Sequence, residues 1–180
     1  MACTISAIFS LPAPVGPEAD LYAGKNFISR GGFRVEYDDL NHQLSIDPRL
    51  SLAYRTGPTG QVSLAYGKFR QSPGVQWLRR GTDLLSEKAD HYILNYQRIQ
   101  DGRTFRIEGY YKRYRDLVKF NDGNRDDLNN SGYGFAKGVE LFWRDNKSLK
   151  DVDYWVSYSF LSTKRKYLHF PVEATPSFAS

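Results

Sequence analysis

The feature that most constrains this chain is a strict two-residue alternation of apolar and polar side chains, sustained over most of its length. Phe33, Val35 and Tyr37 alternate with Arg34 and Glu36; Leu50, Leu52 and Tyr54 alternate with Ser51 and Ala53. Val62, Leu64 and Tyr66 follow, then Tyr92, Leu94 and Tyr96, then Phe105, Ile107 and Tyr111. Val139, Leu141 and Trp143 and finally Tyr154, Val156, Tyr158 and Phe160 complete the series. Side chains of a strand point to opposite faces in turn, so this pattern predicts strands that are apolar on one side and polar on the other. About seven strands are expected from residue 27 onward, with no helical segment, and the fold class is all-β. Residues 1–26 carry no comparable pattern and form a separate N-terminal segment of unassigned structure.

Most of these strands read as about 9–12 residues long, against about 5–6 for an ordinary soluble strand. A tilted strand needs about 9–11 residues to cross the hydrocarbon of a membrane. Two arrangements satisfy the alternation. In a soluble barrel or sandwich the apolar faces turn inward; in a membrane barrel they turn outward to lipid while the polar faces line a wet interior. Periodicity does not choose between them. Connection lengths favour the membrane barrel. Thr56–Gly60, Gln100–Arg103 and Asp145–Lys150 are short, and Asp101-Gly102 suits the positive φ angles of a type I′ hairpin turn. Longer links at Asp39–Asp47, Arg70–Ala89 and Asn121–Ser131 alternate with them, so one end of the sheet is trimmed and the other elaborated. The 13 Tyr, many near strand ends, suit an interfacial aromatic girdle. On this reading Leu50, Leu52, Val62, Leu64, Leu94, Ile107, Val139, Leu141, Val156 and Tyr158 face lipid.

Composition narrows the function classes. A mean hydropathy of -0.56 beside 41% hydrophobic and 15% aromatic residues is too rich in large rings for a disordered chain. No run reaches the roughly 18–20 apolar residues of a membrane helix. A lone cysteine, Cys3, leaves no disulfide framework and no cysteine-based zinc site. The net charge of +5 comes from dispersed groups such as Arg79-Arg80 and Lys164-Arg165-Lys166, without the clustering of a nucleic-acid surface.

The residues offer little catalytic chemistry. His42, His91 and His169 lack metal-ligand spacing. The loop from Asp122 opens like a calcium loop but has Asp127 where the turn glycine belongs and Tyr133 in place of the bidentate glutamate. No nucleophile elbow is present. No catalytic, metal or cofactor residues are assigned, and no enzyme activity is expected. Gln71, Trp77, Arg79 and Arg80, in or beside the 70–89 link, are candidate ligand contacts, because aromatic and arginine side chains anchor binding sites. The competing reading is a link packed on its neighbours.

Four blocks in order carry a family resemblance. Ser63–Phe69 with Gln71 and Pro73, Arg103–Val118, Asn130–Leu141 and Trp155–Phe160 resemble successive barrel strands of TonB-dependent outer-membrane receptors. The glycine-rich Gly132-Tyr133-Gly134-Phe135-Ala136-Lys137-Gly138-Val139-Glu140-Leu141 resembles that family's recurring Gly-x-Ala-x-Gly-Val-Glu-Leu strand, and it is the order and spacing of all four blocks along the chain that make the resemblance specific. The resemblance covers roughly residues 27–180. It implies an outer-membrane location, contact with outer-membrane lipid, and energy-coupled uptake of a bulky nutrient of the siderophore, cobalamin, glycan or peptide class. It also implies three partners that 180 residues do not supply: a plug domain, the remaining barrel strands, and the TonB complex. The chain is therefore expected to be a partial barrel, an open segment of an up-and-down meander. Gly134, Ala136 and Gly138 would either leave room for lumenal contents or serve packing, the latter being favoured. A non-energised porin-like or adhesin-type barrel and a barrel-borne hydrolase are the alternatives.

Overall fold

The computed structural model describes residues 16–38, 43–78, 84–121, 124–169 and 172–176. Eight strands follow one another: β1 (Glu18–Ala23), β2 (Phe27–Asp38), β3 (Gln43–Arg55), β4 (Gly60–Gln71), β5 (Glu87–Gln100), β6 (Arg103–Asn121), β7 (Asn124–Asp145) and β8 (Tyr154–Lys166). They lie in one sheet in chain order, every neighbouring pair antiparallel, with β1 and β8 at the two edges. This is the all-β, open up-and-down meander that the alternation predicts. One strand more than expected is present, because β1 falls N-terminal to residue 27, where six residues lack a readable alternation. A single helical turn, α1 (Val75–Leu78), breaks the 72–86 link, and Gly74 accepts its first backbone hydrogen bonds from Trp77 and Leu78.

Two of the expected long links are shorter than the sequence suggested. β3 begins at Gln43, and β6 and β7 run on through Asn121 and Asn124, so the segment read as a 121–131 loop is largely strand. The polar run Asp126–Ser131 hides strand structure because pairing there is irregular rather than alternating. Register shifts fall between Arg115 and Leu117, Leu117 and Lys119, and Phe120 and Asn121. Asp116 sits at φ 58° at the first shift, the left-handed conformation of a bulge residue. The predicted type I′ turn is present, with Asp101 at φ 50° and Gly102 at φ 72°.

A sheet that is apolar on one face ordinarily buries it against a second layer. Among the described residues there is no second layer. The buried apolar side chains are Leu84, Leu117, Val118, Phe120 and Ala136, and they gather mainly where the 72–86 link meets the upper ends of β6 and β7. Asn130 fixes that junction: its amide donates to the carbonyls of Leu85 (2.9 Å) and Asp116 (2.7 Å), and its Oδ1 accepts from Leu85 N (2.8 Å). Glu87 accepts from Val118 N at 3.0 Å, and Lys88 pairs with Asp116 at 2.6 Å.

Candidate functional site

Cross-strand register places all ten residues expected to face lipid on one face of the sheet. Leu50, Leu64, Leu94, Ile107, Val139, Val156 and Tyr158 are exposed there, from 37% for Ile107 to 61% for Tyr158; Leu52, Val62 and Leu141 are half-buried by neighbours on the same face. A contiguous exposed apolar surface of this kind marks an interaction face with protein or membrane rather than ordinary monomer surface. It is bounded by two chains of ring contacts. Toward the 72–86 link, Tyr66, Tyr92, Tyr111 and Phe135 touch in succession at 5.1, 6.3 and 6.5 Å between centroids. Toward the short turns, Tyr96, Phe105 and Trp143 do the same at 6.2 and 6.3 Å. Phe135 and Trp143 are eight residues apart on β7, about 27 Å along an extended strand. Tilted as barrel strands are, that is a rise of about 20 Å, close to the ~25 Å apolar band of an outer-membrane barrel.

The opposite face is a mesh of ionic and cation–aromatic contacts. Arg30 binds Asp20 through two hydrogen bonds of 2.7 and 2.9 Å, and Arg34 pairs with Glu36 at 2.8 Å. Asn95 donates to Glu108 at 3.3 Å. Arg49 lies 5.1 Å from the Phe69 ring, which meets His91 at 4.4 Å; Lys112 caps Tyr110 at 5.3 Å. A concavity of about 250 Å³ opens on this face, lined by Glu18, Arg30, Arg49, Phe69, His91 and Ile93 among others. Arg34 and Arg49 each leave a buried Nε–H without an acceptor among the described residues. Sequence reasoning did not single out these arginines; the signal was their place opposite Val35 and Leu50 in the alternation.

The glycine-rich strand β7 does not leave an empty interior. A Cβ at Gly138 would lie 2.4 Å from the Phe160 carbonyl and 2.5 Å from the Tyr110 hydroxyl. At Gly134 it would meet the Lys164 carbonyl at 2.6 Å and the Arg165 side chain at 2.8 Å. Side chains from β6 and β8 fold over the small residues, so the packing reading applies.

The four candidate ligand contacts are scattered in their circumstances. Gln71 ends β4, exposed and paired in register with Glu87. Trp77, on α1, packs its ring 5.3 Å from Phe120. Arg79 and Arg80 lie outside the described residues, as do His42 and the opening Asp122-Gly123 of the calcium-like loop, whose continuation belongs to β7.

No protein-family model matches the sequence, and no curated protein matches it at significance. Among solved structures, the fold is similar to the outer membrane transporter YddB from Escherichia coli, with a TM-score of 0.67 and 16% sequence identity. The match covers 83% of this chain and 24% of that one, so the chain spans about a quarter of the transporter's length. The likeness is one of fold alone.

Proposed function

We propose that this chain forms part of the wall of an outer-membrane transport barrel, its apolar face against lipid and its ionic face toward the interior. The observation that carries the reading is the exposed apolar face, framed by two rows of aromatic rings on an open, single-layer meander of long strands. Its likeness in fold to an outer membrane transporter agrees with it. Within that class, the sequence blocks on β4, β6, β7 and β8 support a TonB-dependent receptor that takes up a bulky nutrient with energy from the inner membrane. The polar face, with Arg30, Arg34, Arg49 and His91, would then border the interior path. Gln71 and Trp77, at the end of β4 and on α1, would edge its mouth, and Arg79 and Arg80 remain candidate ligand contacts by their place in the sequence. The barrel wall binds and passes a cargo without chemical change, so the reading is of a non-enzyme.

Two tryptophans test the orientation. Trp143 lies on the apolar face and Trp155 on the other, stacked on Phe142 at 6.5 Å. In single-tryptophan variants reconstituted in vesicles with brominated acyl chains, Trp143 fluorescence should be quenched and Trp155 fluorescence spared. Equal quenching of both, or of neither, overturns the two-faced wall. Energy coupling is tested separately, by cargo uptake in cells carrying the whole gene with and without TonB; uptake that survives without TonB indicates a passive porin-like barrel.

A further inference from the structure

Pairing lines up the residues of β4–β8 in rows across the apolar face. One row holds Leu64, Leu94, Gly109, Val139 and Phe160; the next, toward the 72–86 link, holds Tyr66, Tyr92, Tyr111, Lys137 and Ser162. Beyond it come Lys68, Asp90, Arg113, Phe135 and Lys164, and beyond those Lys88, Arg115, Tyr133 and Lys166. Character changes within two rows, from wholly apolar to predominantly cationic.

Four of these cations surround Phe135. Arg113 and Lys164 are its register partners on either side, Lys137 follows two positions along β7, and Lys166 lies two positions beyond Lys164. Arg113, Lys137 and Lys164 are exposed, and Lys166 is half-buried. Lys137 Nζ is 5.7 Å from the Phe135 centroid. The nearby carboxylates serve other cations: Asp90 is buried on Arg115 at 2.6 Å and Asp116 binds Lys88 at 2.6 Å. Among the described residues none of the four is in an ion pair. Below them, Gly109 lacks a side chain between Leu94 and Val139, and a Cβ there would meet nothing within 4 Å. That leaves a trough in the apolar surface directly beneath Tyr111.

We propose that Arg113, Lys137, Lys164 and Lys166 form a headgroup site for a phosphorylated membrane lipid, with an acyl chain of the same lipid lying along the trough at Gly109. The proposal rests on the lipid-facing reading of this surface. Strands are about 4.8 Å apart, so Arg113 and Lys164 stand about 10 Å apart across β7, within reach of one phosphate for side chains of this length. Charge-assisted hydrogen bonds from lysine and arginine are the ordinary means of holding phosphate. A free phosphate would use the cations but gain nothing from the trough; a lipid uses both.

The test is electron spin resonance of spin-labelled lipids around the full chain reconstituted in phosphatidylcholine vesicles. Phosphatidic acid labelled on its acyl chain should be enriched at the protein boundary over labelled phosphatidylcholine by about fivefold, the worth of one basic residue near an anionic surface, or more. In R113Q/K137Q/K164Q/K166Q the preference should vanish while the immobilised phosphatidylcholine component persists. K147Q/K150Q, altered at the opposite end of the sheet, should keep the preference. Equal association of both lipids with the unaltered chain overturns the headgroup site and leaves the lipid-facing reading standing. An absence of any immobilised component overturns that reading instead. Loss of the preference in 50 mM inorganic phosphate, with ionic strength matched by chloride in the control, assigns the cluster to free phosphate and overturns the lipid site.

Discussion

Asn130 is the residue on which the elaborated end of the sheet depends. Its amide group makes three hydrogen bonds, two to the exposed backbone of Leu85 and one to the part-buried carbonyl of the bulged Asp116, and a shorter side chain would hand the first two to water and leave the third without its protein partner. Asn130→Ala should cost about 1–3 kcal/mol locally and release the 72–86 link, seen as faster proteolytic cutting in that link while the strands stay protected. Leu94 tests the environment of the apolar face. It is 56% exposed, and on a water-facing surface Leu94→Arg would change stability by no more than about 0.5 kcal/mol. Against lipid it should cost about 2–4 kcal/mol, measured by denaturant unfolding from vesicles. A near-zero effect there would count against the membrane. At the short-turn end, the hydrogen bond from Arg144 holds the Asp153 carboxyl below the usual aspartate range. A lowered folded value means the contact stabilises above the unfolded pKa and is lost as pH falls through the folded one. Carbon-13 NMR should find the Asp153 midpoint below about 3.9, and Arg144→Gln should raise it toward that value.

At the scale of elements, the β7–β8 hairpin is organised by one carboxylate. Asp145, at the end of β7, is nearly fully buried. It accepts hydrogen bonds from the backbone N–H groups of Lys147 and Ser148, from the Ser148 hydroxyl and from Arg103 on β6. Asp145→Ala should therefore loosen both the hairpin and its pairing with β6, at a cost of about 1–3 kcal/mol, read as faster amide exchange in residues 146–153. Much of this was legible beforehand: Asp101-Gly102 announced its turn, and the short link after Asp145 was expected. The bulge at Asp116 was not. Its cause is a tertiary contact, because the left-handed backbone there presents a carbonyl to Asn130, a residue fourteen positions away.

Among the described residues the apolar face has no second layer, and the outer edges of β1 and β8 are left largely unpaired, the Arg165–Ala174 bridge on β8 being an exception. In water such a sheet exposes a template for further strand pairing and a broad sticky surface. Expressed without detergent or bilayer, the chain should be insoluble or form oligomers that hide those surfaces. A concentration-independent monomer in analytical ultracentrifugation, unfolding cooperatively, would show a self-sufficient soluble domain and contradict the barrel-wall reading.

Alternation by itself determined the all-β class, the central parts of β2–β8 and which residues share a face, because a period of two admits no other regular structure; it missed β1 and the outer ends of β6 and β7. Leu50, Leu64, Leu94 and Val139 were assigned to one side on that ground and lie there together. What alternation left open was whether that side turned inward. The same pattern serves a soluble sandwich and a membrane barrel, and the difference is decided by whether a second layer covers the apolar face. Tertiary structure also decided how the polar face is used. Arg30 meets Asp20 and Arg49 meets Phe69 only because register brings distant segments side by side. The cation cluster around Phe135 arises in the same way: Arg113, Lys137 and Lys164 are scattered along the sequence, and three strands in register place them around one ring.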